Sequence, residues 1–262
     1  MPQSPETDAG TPPLLAVHAG VATLMLNRPA HRNRLHDDDL RTLLDHFRAI
    51  NADASVRVVV LAGQVLAERP VFCSGYHLGQ IGTERAGDTF EPVADALEVL
   101  RPLTIAALNG SVYGGATDLV LACDFAIGVH GMEMRMPAAA LGLHYYPSGI
   151  SRFVSRLGVT WAKQVFLGAA SFSSDQLLAM GFVQSLVAQA DHAAAVQHQV
   201  EALLGLAPLA VQGMKASLNE VARGDCDAVR LRARHQRTQA SSDFAEGRRA
   251  FAERRAPVFT GR

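Results

Sequence analysis

Two predominantly apolar runs constrain the fold of this chain more than any other feature. Residues 56–62 and 102–108 consist mainly of valine, leucine, isoleucine and alanine. They lack the strict alternation of apolar and polar residues that a strand with one solvated face shows. Such runs are typical of strands covered on both faces, as in a parallel sheet with helices on each side. They therefore predict an α/β fold.

Extended and helical patterns alternate through the first half of the chain. Strands are predicted at residues 14–18 and 21–27, a helix after the aspartates at 37–39, and a further helix from about Gly115. The aspartates suit the positive end of a helix dipole, so we interpret them as a helix start rather than a metal site. Further strands are expected at 123–129 and 183–187.

Helical patterns dominate the chain from Ser148 onward. Breaks between these helices are expected at Gly158, Gly168, Gly181, Pro208 and Asp225. We divide the chain into a flexible N-terminal tail (1–13), an α/β core (14–200) and a helical C-terminal region (201–262).

The charge balance argues against several classes of partner. Lys and Arg number 24 against 25 Asp and Glu, which gives a formal net charge of −1. A chain without a broad basic field is not expected to bind nucleic acid or an anionic membrane surface. No apolar run is long enough for a membrane span. The three cysteines are an odd number and lie far apart, which favours free thiols in the cytoplasm over a disulfide framework or a zinc site.

Two glycine turns are the segments best suited to carry chemistry. Residues 71–78 form a short apolar run that ends in a Gly turn, and residues 109–119 lie between a buried strand and a helix. Glycines at a helix start leave backbone N–H groups unpaired and let a ligand approach closely. Two such N–H groups from different loops could hold one developing oxyanion.

The order and spacing of several motifs resemble the crotonase (enoyl-CoA hydratase/isomerase) superfamily. The resemblance extends from Leu14 to Phe259. The matching segments are Leu26-Asn27-Arg28-Pro29 followed by Arg32-Asn33, Phe72-Cys73-Ser74-Gly75, residues 109–119, Leu141-Gly142, Gly181-Phe182-Val183 and Asp243-Phe244-Ala245-Glu246-Gly247.

The resemblance implies a spiral of β-β-α units with a helical C-terminal oligomerisation region, packed as a homotrimer or a dimer of trimers. The implied substrate is an acyl group carried as a coenzyme A thioester, with no other cofactor. By position, the backbone N–H groups of Tyr76 and Gly115 would form an oxyanion hole for the thioester oxygen. Substrate contacts are expected from Arg28, Arg32, Ser74, Gly75, His77, Gly114, Ala138 and, from the C-terminal region, Arg254. Phe90 and residues 82–88 are expected to line the acyl pocket.

The sequence departs from the family where hydratases carry two glutamates. Asp118 stands at the first position and Ala138 at the second, and alanine cannot transfer a proton. Efficient hydration by two carboxylates is therefore not expected. Tyr145 is expected in the pocket in preference to Tyr146, and either Tyr145 or His144 could supply a proton beside Asp118.

Three interpretations stay open. The first is a CoA-thioester enzyme of the hydratase/isomerase type, in which decarboxylation or other enolate chemistry ranks slightly above plain hydration, because methylmalonyl-CoA decarboxylase looks similar around Tyr145. Hydrolysis of a CoA thioester is the second. The third is a catalytically idle CoA-binding homologue, against which the intact glycine turns and Asp118 argue.

Overall fold

The two apolar runs form neighbouring parallel strands in the computed structural model, which describes residues 10–66, 70–77, 79 and 86–262. The first run gives strand β3 and the second gives β5. Val59 and Leu61 of β3 pack into the main hydrophobic core, whereas Val58 and Val60 pack on the opposite face. Both faces are therefore covered, and the predicted α/β fold is confirmed.

The larger of two sheets has six strands. All of its strand pairs are parallel except the first, which is antiparallel. In spatial order they are β1 (Leu14–His18), β2 (Val21–Leu26), β3 (Val58–Gly63), β5 (Leu103–Ala107), β7 (Phe125–Val129) and β10 (Ser185–Val187).

The smaller sheet has four short strands and places the glycine turns. In spatial order they are β4 (Val71–Cys73), β6 (Ser111–Tyr113), β8 (Glu133–Arg135) and β9 (Ser171–Ser173). Strands β4 and β6 run parallel to each other. The segments after them, which are the two glycine turns, therefore lie at the same edge of this sheet.

Helices cover both faces of the larger sheet and make up the C-terminal part. In the described part of the chain they are α1 (Asp37–Ala52), α2 (Ala86–Glu98), α3 (Ala116–Ala122), α4 (Pro147–Gly168), α5 (Ser174–Ala179), α6 (His192–Leu204), α7 (Pro208–Arg223), α8 (Ala228–Gln239) and α9 (Ser242–Glu253). None of the helices within the described ranges combines the length and apolarity that a membrane crossing requires.

Most predicted elements are present, with boundaries that differ by one or two residues. Helix α1 begins at the aspartates, and Gly158 interrupts α4 with a left-handed φ of 74°. The alternation of Met132, Met134 and Met136 predicted a strand, which is β8, whereas the short strands β6 and β9 and helix α2 were not predicted as elements. Residues 1–9 of the predicted tail, and 82–85 of the segment expected near the acyl pocket, lie outside the described residues. The division at residue 200 falls within α6, and the domain assignment stays a prediction.

A buried asparagine fixes the first glycine turn to the rest of the fold. The Asn33 side-chain amide donates to the carbonyl oxygens of Gln64 (2.8 Å) and Phe72 (2.9 Å), and its oxygen accepts from the Arg28 N–H (3.0 Å). The Ser74 N–H donates to the Arg32 carbonyl at 2.9 Å. These bonds tie the end of β4 to the loop after β2 and so hold the turn in place.

The two glycine turns touch through their backbones. Gly75 has a φ of 90°, and a Cβ atom placed on it would lie 2.7 Å from the Tyr113 carbonyl oxygen and 3.3 Å from the Gly115 nitrogen. Glycine is required here both for the left-handed conformation and for the close approach.

Gly75→Ala is therefore expected to destabilise the protein more than the same change at Gly131, which is the matched control. Gly131 has a similar φ of 81°, but a Cβ there would have nothing within 4 Å. The left-handed conformation costs each variant about 1–2 kcal/mol. The collision with Tyr113 adds about 1–3 kcal/mol to Gly75→Ala. Denaturant unfolding measures both losses, and equal losses would contradict the contact between the turns.

Candidate active site

Two backbone N–H groups without an acceptor lie on the two glycine turns in the described part of the chain. Leu35 and Tyr76 form an isolated parallel bridge in which Leu35 donates to the Gly75 carbonyl and accepts from the His77 N–H, both at 2.9 Å. This pairing directs the Tyr76 N–H away from Leu35. Neither the Tyr76 N–H nor the Gly115 N–H has an acceptor among the described residues.

Gly115 immediately precedes helix α3. Its N–H group therefore belongs to the helix start, where the helix dipole favours a negative charge. Gly114 supports this position with a φ of 55° and an N–H that donates to the Arg135 carbonyl at 2.9 Å. The arrangement can stabilise an oxyanion that bonds to both turns.

Aromatic side chains pack beside Gly115. The Phe90 ring packs so closely on this glycine that a Cβ there would lie 2.7 Å from the ring. The ring centroids of Tyr76 and Tyr146 lie 6.0 Å and 6.3 Å from that of Phe90. The two N–H groups therefore face a surface that suits an apolar acyl group.

Asp118 lies one helical turn beyond Gly115 and is fully buried. Its Oδ2 accepts from the Tyr146 hydroxyl at 2.5 Å and from the Arg152 guanidinium at 2.7 Å. Its Oδ1 is buried and has no hydrogen-bond partner among the described residues. One carboxylate oxygen is thus fixed, while the other is buried and keeps unused hydrogen-bonding capacity among the described residues.

Burial and charge act in opposite directions on the groups around this carboxylate. Burial raises the pKa of Asp118 above its ordinary value, although the positive charge of Arg152 offsets part of the effect. Burial by itself lowers the pKa of Arg152, but the carboxylates of Asp118 and Glu98 outweigh it and raise that pKa. Burial, together with the neighbouring Tyr145 and Asp118, strongly raises the pKa of Tyr146. Tyr146 therefore keeps its proton and acts as a hydrogen-bond donor.

Tyr145 does not contact the Asp118 carboxylate directly but reaches it through Tyr146, although the sequence analysis expected Tyr145 in the pocket. Its hydroxyl donates to the Tyr146 hydroxyl at 3.0 Å, and its ring packs against Tyr146, Phe153 and Phe166. His144 is exposed, and its Nδ1 lies 2.8 Å from the Tyr145 carbonyl oxygen. Catalytic roles for Tyr145 and His144 stay predictions.

Ala138 is buried among core residues, at 5% exposure. Its carbonyl oxygen accepts from the N–H groups of Leu141 and Leu143. The nearby Glu133 is exposed and accepts from the Tyr113 hydroxyl at 2.6 Å. Its carboxylate is thus engaged with Tyr113.

The three arginines expected to bind substrate differ in their exposure and in whether they form ion pairs. Arg28 is held in ion pairs with Asp38 (2.8 Å) and Asp39 (2.9 Å). Arg32 is exposed, with a φ of 54°, and lines a surface cleft of about 460 Å³. Arg254 is exposed at the end of α9. A substrate contact at each arginine stays a prediction.

The remaining predicted contacts lie on the first turn. The Ser74 hydroxyl is 3.4 Å from the His31 carbonyl oxygen. His77 stacks on His36, with ring centroids 4.8 Å apart. The Tyr76 hydroxyl donates to Asp37, which holds this side chain beside α1. Within the described ranges, no cluster of His, Cys, Asp and Glu is suited to a metal ion.

Sequence reasoning missed Arg152 and the contact between Tyr146 and Asp118. Arg152 lies in α4 between the buried residues Gly149 and Phe153. A charged side chain at a position surrounded by buried neighbours needs a buried partner, and this signal was present in the sequence. The adjacent tyrosines offered no comparable signal, because both are aromatic and both carry a hydroxyl.

Known proteins resemble this chain over nearly its full length. The sequence profile of the family described as enoyl-CoA hydratase/isomerase matches residues 16–262. Enoyl-CoA hydratase domain-containing protein 2, mitochondrial, of Bos taurus is 30% identical over 95% of this chain and 87% of its own length. Crotonyl-CoA hydratase of Syntrophomonas wolfei is 28% identical over 91% of this chain and 94% of its own length.

Solved structures share the same fold. An enoyl-CoA hydratase from Bacillus anthracis superposes with a TM-score of 0.87 at 25% identity, covering 96% of this chain and all of its own, at 100%. The sequence match and the shared fold agree along the whole core. The chain belongs to the enoyl-CoA hydratase/isomerase family.

Proposed function

We propose that this protein is an acyl-CoA enzyme that stabilises a thioester enolate and transfers protons through one carboxylate, Asp118. The observation that carries this proposal is the buried Oδ1 of Asp118, one helical turn from the Gly115 N–H, where neither group has a hydrogen-bond partner among the described residues. Together they provide an acceptor for a proton and a donor for an oxyanion in a single site.

The backbone N–H groups of Tyr76 and Gly115 would bind the thioester oxygen. Negative charge grows on this oxygen when the enolate forms, so fixed donors stabilise the transition state more than the ground state. The loss of one such donor typically costs about 2.7–4 kcal/mol of transition-state stabilisation. The dipole of α3 acts in the same direction.

Asp118 would move the proton at its Oδ1, because its Oδ2 is occupied by Tyr146 and Arg152. A carboxylate exchanges protons best when its pKa lies near the working pH. The upward shift produced by burial brings Asp118 closer to that condition. Tyr146 orients the carboxylate and keeps its own proton.

The buried Ala138 favours reactions that need only one proton-transferring group. Hydration that uses two carboxylates would need the second one at this position, where the chain has alanine. Single-base proton shifts next to the thioester fit the site, as does loss of carbon dioxide from a malonyl-type thioester. In the latter reaction the C–C bond to the carboxylate breaks, and its electron pair forms the enolate. A proton taken up from solvent, through water held at the Asp118 Oδ1, then completes the product.

Decarboxylation is the second candidate, and Ala138 is the specific observation in its favour. A glutamate at this buried position would repel a substrate carboxylate, whereas alanine does not. Thioester hydrolysis and a catalytically idle binder are the remaining alternatives. Binding of the coenzyme A part by Arg28, Arg32 and Arg254, the homotrimer or dimer of trimers, and a cytoplasmic location belong to the same proposal.

Asp118→Asn is expected to lower turnover by about 10²–10⁴-fold while CoA-thioester binding persists, because the proton-transferring group is lost. Mass spectrometry of a CoA-thioester panel measures the reaction, and calorimetry with a substrate analogue measures binding. Asp118→Glu, which keeps a carboxylate, is the matched control. Unchanged turnover in Asp118→Asn would overturn the assignment.

The same panel separates the candidate reactions by their products. An isomer of unchanged mass or a product lacking one carbon dioxide supports the proposed enolate chemistry. Gain of one water as the main reaction contradicts the argument from Ala138. Release of free CoA identifies a hydrolase, and no product from any thioester identifies an idle binder.

Tyr146→Phe is expected to lower kcat by about tenfold or more, because a hydrogen bond to a charged group contributes about 1.5–3 kcal/mol. Tyr145→Phe is the matched control, since Tyr145 donates to Tyr146 rather than to Asp118. Its kcat is expected to stay within about threefold of the parent value, which corresponds to about 0.65 kcal/mol, at the low end of the contribution of a neutral hydrogen bond. Steady-state kinetics measure kcat for both variants. A larger loss of kcat in Tyr145→Phe than in Tyr146→Phe would contradict the assignment of Tyr146 and favour Tyr145 instead.

A further inference from the structure

A chain of buried charges connects Asp118 to the C-terminal helices. Arg152 of α4 binds Asp118 of α3 at 2.7 Å and Glu98 of α2 at 3.2 Å. The other oxygen of Glu98 accepts from Arg223 of α7 at 3.0 Å. The side chains of Asp118, Arg152 and Glu98 are at most 6% exposed, whereas that of Arg223 is 33% exposed.

The guanidinium of Arg152 has little freedom to move. Its three nitrogens each bond to a different carboxylate, the third being Asp95 at 2.6 Å. The planar guanidinium has fixed donor directions. Three bonds in three directions therefore set where it meets Asp118, and with it which oxygen of Asp118 remains free.

The chain also balances charge in the interior. The buried carboxylates of Asp118 and Glu98 are matched by Arg152 and by the partly exposed Arg223. Removal of Arg152 would leave two carboxylates in low dielectric without a buried cation, which favours the protonated form of one of them. The titratable groups that act on Asp118 or Arg152 from neighbouring elements are Tyr145, Tyr146, Asp95 and Glu98, while Glu91 acts on Tyr145 and Arg223 pairs with Glu98.

We propose that Arg152 is a positioning residue that keeps Asp118 ionised with Oδ1 free for the substrate, and that α7 takes part through Arg223 and Glu98. Its catalytic consequence depends on the proposed function. The effect of Arg152 on the protonation state of Asp118 does not depend on the proposed function, because that protonation state can be measured without any substrate.

Arg152→Gln is expected to move the limb of the pH–rate profile that Asp118 controls upward by roughly one to three pH units. The sign follows from charge: an adjacent cation lowers the pKa of a carboxylate, so its loss raises that pKa. Arg152→Lys keeps the charge but not the three-way geometry. It is expected to return the limb to near its parent position while kcat stays reduced.

Lys215→Gln is the matched control for a merely structural ion pair. Lys215 is buried and binds Asp124 and the Pro102 carbonyl, both at 2.8 Å, outside the Asp118 chain. Its loss is expected to lower stability without moving the pH–rate limb. If Arg152→Gln behaves in the same way, with lower stability and an unmoved limb, Arg152 is structural and the proposal fails.

Infrared difference spectroscopy provides the measurement that does not depend on activity. In Arg152→Gln, a protonated-carboxyl band is expected to titrate at higher pH than in the parent, and to vanish in the Arg152→Gln/Asp118→Asn double variant. A band that titrates at the parent pH, or that survives in the double variant, overturns the proposal even if no CoA thioester reacts.

Arg223→Gln serves if Arg152→Gln does not fold, because the Arg223 side chain is partly exposed and meets Glu98 rather than Asp118. It is expected to shift the same Asp118 band in the same direction by a smaller amount. An Asp118 band at its parent position would show that α7 takes no part, and would overturn that half of the proposal.

Discussion

The contact between two bare backbones, at Gly75 and at residues 113–115, is the constraint on which the site depends. No side chain fits between the Gly75 Cα and the Tyr113 carbonyl, so the two turns approach closely, as the proposed oxyanion hole of the Tyr76 and Gly115 N–H groups requires. The parallel pairing of β4 and β6 sets this approach, and the buried amide of Asn33 holds the first turn in position. The proposed oxyanion hole therefore depends on the core packing, the strand order and the turn conformation, because together they position the two amide hydrogens.

A buried negative charge is the second requirement, and the fold bears a cost to keep it. Burial of a carboxylate without compensation is strongly unfavourable. Here Arg152 and Tyr146 compensate one oxygen of Asp118 and leave the other without a partner among the described residues. A group that is half satisfied in the absence of ligand gains a hydrogen bond when water or substrate arrives. This unused oxygen is what the proposed proton transfer requires, and aromatic rings of Tyr145, Tyr146 and Phe90 lie nearby.

Much of this organisation could be predicted from the sequence, and the failures have physical causes. The strands β3 and β5 could be predicted because parallel strands covered on both faces lack polar alternation. Asp118 could be assigned to the first turn of α3 because glycines mark the start of that helix. Tyr145 was expected in the pocket in preference to Tyr146, whereas the Tyr146 hydroxyl meets Asp118, because one residue of difference along an irregular segment reverses which ring faces the carboxylate. The ion chain through Arg152, Glu98 and Arg223 joins residues more than fifty positions apart. No local pattern encodes such partners; only the tertiary packing of α2, α4 and α7 brings them together.

The most direct test of the two-turn site is a crystal structure with an unreactive acyl-CoA analogue in which the thioester sulfur is replaced by a methylene group. The analogue's carbonyl oxygen is expected within about 2.7–3.1 Å of both the Tyr76 nitrogen and the Gly115 nitrogen, with its α-carbon facing Asp118 Oδ1. A carbonyl oxygen that meets only one of these nitrogens, or that points away from the glycine turns, would contradict the account.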